Sequence, residues 1–268
     1  MAMKEKTLSR DGIWICGVNP VREALLSNNL VPGEMVHSRI DARIQDLLDL
    51  CTSRGIPVRM QKKEALSAFL GHAHHQGVAL LVPDFPYVPL ENILKSEASR
   101  REPLVVLDSV QDPQNLGALM RSACFLGAKG LVIPRDRSAR VTGSVMKVAA
   151  GAASYLPVIQ VTNLARCLDG MKEAGLWVVG LAVEEALPIY DVDLTVPLGV
   201  VIGNEMKGLR PLVRKHCDIL AAIPSHGPME SLNAAVAGAV VLAEIQRQRW
   251  FSRKEASPQR APSRCGPE

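Results

Sequence analysis

The sequence predicts an α/β protein built on a mostly parallel sheet and preceded by a smaller α/β unit. Three observations predict it. From residue 104 onward, short apolar runs alternate regularly with helical stretches, and continuously apolar strands between helices mark a parallel sheet covered on both faces. Before residue 83 the same two periodicities recur in a stretch of about the minimum size that folds alone. Between the two lies a segment carrying Pro83, Pro86, Pro89 and Pro103, which reads as a linker.

Residues 1–11 are polar and charged, a frayed start. In the first unit, 12–83, Asn19-Pro20 opens a helical run with Val21, Ala24, Leu25 and Leu26. Ile44, Leu47, Leu48 and Cys51 stand at helical spacing, and Gly55 follows as a stop. A strand is predicted over 56–60, a short helix over 63–70 ended by Gly71, and a closing strand over 77–82. The linker, 84–102, is expected to hold one short helix around 90–100. The second unit, 103–250, reads as strands over 104–110, 130–133, 157–161, 177–182, 199–203 and 219–223. Helices are predicted over 115–126, 138–150, 163–174, 211–216 and 231–249. Residues 251–268 are rich in Ser, Pro and Arg, the composition of a disordered tail.

At 268 residues, 47% hydrophobic and 22% charged, the chain has the profile of an ordinary globular protein. A net charge of +4 permits a polyanionic partner without requiring one. Positive residues nonetheless cluster, as Arg135, Arg137 and Arg140 and again as Lys207, Arg210, Arg214 and Lys215. Each group is either a solvated face or a grip on phosphate. The six cysteines (Cys16, Cys51, Cys124, Cys167, Cys217, Cys265) show no CxxC spacing, which points to a reducing compartment and away from disulfides or a thiolate metal site. Charges at Lys4, Glu5, Lys6, Arg10 and Asp11 break any signal peptide. The most apolar run, 234–243, falls short of the ~20 residues a membrane span needs. A cytoplasmic protein is expected. His72, His74 and His75 lack further ligands nearby, so a polar loop is expected there and no metal.

Ligands of an open parallel sheet bind beyond the carboxyl ends of its strands, and three such ends are unusual. In Asp108-Ser109-Val110-Gln111-Asp112-Pro113-Gln114-Asn115-Leu116-Gly117-Ala118-Leu119-Met120-Arg121, a polar loop leads into a helix. Gly117 and Ala118 share the helix face of Arg121 and are expected to leave open space beside its guanidinium. Taken alone, Asn115 reads equally as a helix cap, and Arg121 as a partner for a carboxylate. In Val200-Val201-Ile202-Gly203-Asn204-Glu205-Met206-Lys207-Gly208, a buried strand enters a glycine-bounded loop with one carboxylate. Gly203 would let backbone approach a ligand, and neither a dinucleotide nor a Walker A pattern is present. In Ile223-Pro224-Ser225-His226-Gly227-Pro228-Met229-Glu230-Ser231-Leu232-Asn233, Ser231 is the expected cap and Asn233 sits unusually inside the first helical turn.

In order and spacing these segments resemble the three motifs of the SpoU family, the TrmH-type RNA 2′-O-methyltransferases. The N-x-G-A-x-x-R core stands at Asn115, Gly117, Ala118 and Arg121, G-x-E-x-x-G at Gly203, Glu205 and Gly208, and S-L-N at Ser231, Leu232 and Asn233. Ser225 stands where the family often has Met, and Ala234-Ala235 replace the commoner Val-Ser, which removes any role for a hydroxyl at 235. The amino-terminal unit is similar to the family's L30e-like RNA-binding module, through Gly17-Val18-Asn19-Pro20-Val21-Arg22-Glu23-Ala24-Leu25 and His75-Gln76-Gly77-Val78-Ala79. The two modules in this order resemble family members that methylate guanosine in 23S rRNA.

The resemblance implies a trefoil-knotted, SPOUT-type sheet that binds S-adenosyl-L-methionine in its knot, an RNA substrate and a homodimer. It implies cofactor contacts from Leu181, Ala182, Gly203, Asn204, Gly208, Ile223 and Leu232, largely through backbone. It implies a catalytic set of Asn115, Arg121, Glu205, Ser231 and Asn233. Because guanidinium stays protonated in proteins, Arg121 is read first as a positioning and charge-stabilising group, held with the ribose by hydrogen bonds from the other four. Methylation of tRNA or of an rRNA adenosine stays open, as does a non-catalytic RNA-binding assembly role.

Overall fold

The structure, a computed structural model, describes residues 8, 12–82, 85–95, 102–185 and 187–256. Strands β1 (Ile13–Cys16), β2 (Glu34–His37), β3 (Val58–Met60) and β4 (Val78–Val82) form one sheet in the order β1-β4-β2-β3. β4 lies between β1 and β2 and is antiparallel to both, while β3 runs parallel to β2. All five residues of β4 are buried, which its unbroken Val-Ala-Leu-Leu-Val requires. Helices α1 (Val18–Leu26), α2 (Ala42–Ser53) and α3 (Lys63–Leu70) accompany the sheet. Asp41 caps α2 by accepting from the Ile44 N–H at 3.1 Å. α3 stops where Gly71 turns left-handed at φ +72.

Several expectations need correction here. The frayed start does not include Leu8, which is buried with Cys16, Val36, Leu66 and Ala79; the rest of 1–11 lies outside the described residues. The described part of the linker, 85–95, is a strap laid on the second unit. Its helix α4 is short (Leu90–Leu94), Val88 N–H donates to the Val158 carbonyl at 2.9 Å, and Val88, Leu90, Ile93 and Leu94 pack into a core.

The second sheet holds β5 (Leu104–Leu107), β6 (Gly130–Pro134), β7 (Val158–Val161), β8 (Trp177–Leu181), β9 (Leu198–Ile202) and β10 (Ile219–Ala221). Their order is β10-β8-β9-β5-β6-β7, and every pairing is parallel. Its helices are α5 (Pro113–Phe125), α6 (Gly143–Ala149), α7 (Leu164–Glu173), α8 (Pro211–Lys215) and α9 (Ala234–Ala256). Alternate residues of β5 serve opposite cores. Val105 and Leu107 meet Leu116, Leu119, Leu242 and Ile245 of α5 and α9, whereas Leu104 and Val106 meet Leu168, Met171 and Val213 of α7 and α8.

The chain steps outward one way from β5 to β6 and β7, and outward the other way from β9 to β10. β5 and β9 are neighbours at the centre. The strand order reverses between them, the position at which open parallel sheets bind their ligands.

Helix ends also shift. The helix expected over 138–150 begins only at Gly143, because Ser138 and Ala139 are tied to the Val110 carbonyl at 3.1 and 2.9 Å and Thr142 supplies the cap. α9 starts at Ala234 and runs through 251–256, so the predicted tail is helical there; 257–268 lies outside the described residues.

The two units are joined by direct bonds. Ser27 Oγ donates to the Ser154 carbonyl at 2.5 Å, Asn29 Nδ2 donates to the same carbonyl at 3.1 Å, and Tyr155 Oη donates to Glu23. At Gly143 an added Cβ would stand 2.7 Å from the Trp14 carbonyl oxygen. β1 thus touches the start of α6 at a point only glycine permits.

Candidate active site

Asp112, not Asn115, caps α5, accepting from the Gln114 N–H at 2.9 Å. Pro113 follows at a position where a missing N–H costs nothing. Asn115 is thereby released inside the first turn, and its amide joins two other loops. Asn115 Nδ2 donates to Glu205 Oε1, and Asn233 Nδ2 donates to Asn115 Oδ1 at 2.6 Å. Asn233, not Ser231, is the cap of α9, its Oδ1 accepting from the Ala235 N–H at 2.8 Å. One carboxylate and two amides thus link the loop after β9, the start of α5 and the start of α9. Asn115 and Glu205 are half-buried and Asn233 is exposed, so the chain of bonds opens to solvent at one end.

The loop after β9 is built to hold Glu205 in place. Asn204 and Gly208 exchange backbone bonds of 3.1 and 2.8 Å, and Asn204 Oδ1 accepts from the Met206 and Lys207 N–H groups. Asn204 Nδ2 reaches the Ser109 carbonyl at 3.2 Å. An added Cβ at Gly203 would stand 2.3 Å from the carbonyl carbon of Gly208. On that side the glycine admits the chain itself rather than a ligand, contrary to expectation. Below the loop, Asp108 is fully buried and accepts from Arg210 N–H at 2.7 Å and Arg210 Nε at 2.5 Å. Sequence reasoning missed this pair; an aspartate closing an apolar strand was the available signal.

That pair also revises the basic clusters. Arg210 is engaged by Asp108 and Arg214 by Glu184 and Glu185. Of the second cluster, Lys207 and Lys215 remain exposed, and of the first, Arg135, Arg137 and Arg140.

Arg121 and Ser231 stand apart from the bonded trio. Arg121 is exposed, six residues beyond Asn115 or about 9 Å along the helix axis. Among the described residues it makes neither a hydrogen bond nor an ion pair, so the trio does not fix it. The space expected beside it is also filled. An added Cβ at Gly117 would lie 2.6 Å from Val148 Cβ and 2.8 Å from the Val145 carbonyl oxygen, so this glycine seats α6.

Of the expected cofactor residues, Leu181 and Ala182 close β8, with Ala182 N–H bonded to the Ala221 carbonyl at 3.0 Å. Ile223 lies just past β10, half-buried, and Leu232 is exposed beside Asn233. Among the described residues the backbone groups of Ile223 and Leu232 have no hydrogen-bond partner. Unused amides and carbonyls between apolar side chains suit a neutral heteroaromatic ring read by backbone, so this set fits an adenosine-bearing cofactor.

Other chemistries fit poorly. Burial pushes the thiols of Cys16 and Cys51 up to about 11, and those of Cys167 and Cys217 to about 12, so these four are not thiolate nucleophiles at neutral pH. No group of three or more metal-ligating side chains is found among the described residues. His75 is buried rather than part of a solvated loop, with Nδ1 accepting from Gly77 N–H at 3.1 Å and Nε2 at 2.9 Å from Ser67 Oγ.

Two family profiles match the chain. The SpoU rRNA Methylase family covers residues 102–243, and the RNA 2′-O ribose methyltransferase substrate-binding family covers residues 14–88. The chain belongs to the SpoU rRNA methylase family. It is an RNA 2′-O-methyltransferase of that family, with S-adenosyl-L-methionine as its cofactor. Among SpoU relatives, the 23S rRNA (guanosine-2′-O-)-methyltransferase RlmB of Xanthomonas axonopodis is 41% identical over 90% of this chain and 99% of its own. An uncharacterized tRNA/rRNA methyltransferase of Mycolicibacterium smegmatis is also 41% identical, over 88% of this chain and 76% of its own. Among solved structures, the SpoU methyltransferase AviRb of Streptomyces viridochromogenes in complex with AdoMet superposes with a TM-score of 0.77. It is 26% identical and matches over 89% of this chain and 90% of its own. Among the described residues, no helix of this SpoU chain is long and apolar enough to cross a membrane.

Proposed function

We propose that this SpoU enzyme methylates the ribose 2′-hydroxyl of a guanosine in 23S rRNA, working in the cytoplasm as a homodimer. The observation that carries this reading is the Glu205–Asn115–Asn233 chain of bonds, which ties the three motif loops together at the switch point of the parallel sheet. The choice of 23S rRNA rests on the RlmB relative, whose whole length is matched. The named units follow from it: 12–83 receives RNA, 103–250 carries out the transfer, and the chain after β10 threads a trefoil knot.

S-adenosylmethionine supplies a methyl group on a positively charged sulfur, already activated for displacement. Leu181, Ala182, Gly203, Asn204, Gly208, Ile223 and Leu232 would hold it. The residues' share of the work is placement of the ribose. Glu205 and Asn233 fix the Asn115 amide from both sides, and Ser231 lies two residues from Asn233 on the same loop. Arg121 supplies a permanent positive charge near the oxygen that loses its proton. Phe125, 88% exposed on α5, and Val236, Trp250 and Phe251 on α9 are exposed apolar side chains that a second copy would cover.

Transfer of a tritiated methyl group to undermodified 23S rRNA, followed by mapping of the labelled nucleotide, tests the reading. Label on a guanosine 2′-oxygen is expected. Label confined to tRNA or to an adenosine would redirect it, and label in no RNA would leave only a binding role.

A further inference from the structure

A cleft of about 950 Å³ runs between the two units, with β1 and the end of α3 on one side and α6 on the other. Its size falls within the range of sites that enclose a small organic ligand. Trp14 and Phe69 stand on one wall with their rings edge to face, 5.3 Å apart. Lys147 of α6 faces them, and His72 lies close enough to feel its charge. None of the lining residues is acidic. Lys147 has no carboxylate partner among the described residues.

His72 also lines the cleft. Its Nδ1 is buried without any hydrogen-bond partner, an arrangement that native structures seldom leave uncompensated. Burial and the neighbouring Lys147 hold its pKa below the ordinary histidine range, so the ring is neutral at pH 7 and serves as a hydrogen-bonding group. The remaining wall locates the cleft. Gln114 lines it, and the next residue is Asn115, the centre of the bonded trio. The walls are fixed before any ligand arrives, by the Ser27 and Asn29 bonds to Ser154 and by the close seat of Gly143 on Trp14.

We propose that this cleft is a subsite for a nucleotide adjacent to the methylated one, its base against Phe69 and Trp14 and its phosphate on Lys147. Aromatic faces beside an unpaired cation are how proteins hold an unstacked nucleotide. The inference rests on RNA methyl transfer at Asn115 and adds the place where the flanking strand is gripped.

The test uses the full chain with unmodified 23S rRNA transcript, some uridines replaced by 4-thiouridine. Irradiation is expected to cross-link peptides carrying Trp14 or Phe69 to a nucleotide within one or two positions of the labelled ribose. Phe69→Ala and Lys147→Gln are each expected to raise KM for RNA about tenfold, with kcat and S-adenosylmethionine affinity unchanged. Lys147→Gln also lowers the salt dependence of RNA binding by about one phosphate contact. Because Phe69→Ala risks loosening the first unit, Ser144→Trp, at an exposed position on the cleft wall, serves as a blocking variant and raises KM alone. Wild-type KM in Lys147→Gln and Ser144→Trp, or cross-links from the cleft to nucleotides far from the label, overturns the subsite while leaving methyl transfer intact. A wild-type chain that labels no RNA is seen before any variant is made and overturns the underlying reading as well.

Discussion

The two ends of α5 are held by opposite kinds of contact. At its start, Asn115 is fixed by side-chain hydrogen bonds to loops that lie 90 and 118 residues further along the chain. Six residues on, Arg121 is exposed and, among the described residues, has no charged partner. Next to it, Gly117 is pressed into α6 so closely that no side chain fits. One helix therefore presents a braced amide, a glycine seat and a free cation in successive turns. In the proposed reaction the bracing places the ribose, and the free cation answers the charge that develops there. Rigid placement and available charge are separable, and substitutions should separate them.

Removing the charge should have the largest effect. Arg121→Ala is expected to lower kcat for methyl transfer by about a hundredfold or more, the scale of losing one charge-stabilising donor. Melting temperature and S-adenosylmethionine binding by calorimetry should stay at wild-type values, since nothing in the described fold leans on this side chain. A matching fall in cofactor affinity would place Arg121 in the cofactor site and tie the charge to the brace.

Removing the brace should cost stability as well as rate. Asn115→Ala deprives Glu205 of its donor and Asn233 of its acceptor at once, a loss of about 1–3 kcal/mol for partly buried polar groups. Urea unfolding should report that loss, and turnover should fall with it. Asn115→Asp would be worse at the Glu205 end, where it sets two carboxylates together. If Asn115→Ala melts like the wild type, the three loops are held by something other than this bonded chain.

The glycine seat predicts a loss without a chemical cause. In Gly117→Ala the new methyl must displace Val148 or lift α6 from α5, and overpacking of this kind costs about 1–3 kcal/mol. Thermal unfolding would show the shift while the residual enzyme keeps its KM for S-adenosylmethionine. The comparable change Gly170→Ala, where an added Cβ meets nothing within 4 Å, should be neutral or mildly stabilising.

What was legible in the sequence follows the same division between local and distant causes. The parallel sheet, with its continuously apolar strands, was readable because burial on both faces leaves an unbroken run of Val, Leu and Ile. Helix α3 was readable to its boundaries, since Gly71 marks its end. β1 and β2, Ile-Trp-Ile-Cys and Glu-Met-Val-His, were not, because what makes them strands is their pairing with β4 far along the chain. The caps were hard to read where two candidates compete within three residues. Asp112 caps α5 and leaves Asn115 to reach Glu205, while Asn233, rather than Ser231, caps α9 and also bonds Asn115; both side-chain contacts are distant in the chain. The pairing of Asp108 with Arg210, and the filling of the space beside Gly117 by α6, are likewise long-range facts that no local pattern encodes.

The smallest expected effect concerns His75, buried in the first unit. Its ring is buried, accepts from the Gly77 N–H and pairs with Ser67 Oγ. Burial, with the nearby His72 and Lys63, lowers its pKa below the ordinary value of 6.5. A folded-state pKa below the unfolded one means that the unfolded chain binds the proton more readily. The stability from a neutral His75 is therefore fully present above pH 6.5 and declines as pH falls through 6.5 toward the lowered folded value. Urea melts at stepped pH should show this decline in the wild type and less of it in His75→Gln, which retains hydrogen-bonding capacity but does not titrate. Equal decline in both would assign the acid sensitivity elsewhere, with His72 in the interdomain cleft as the next group to test by the same substitution.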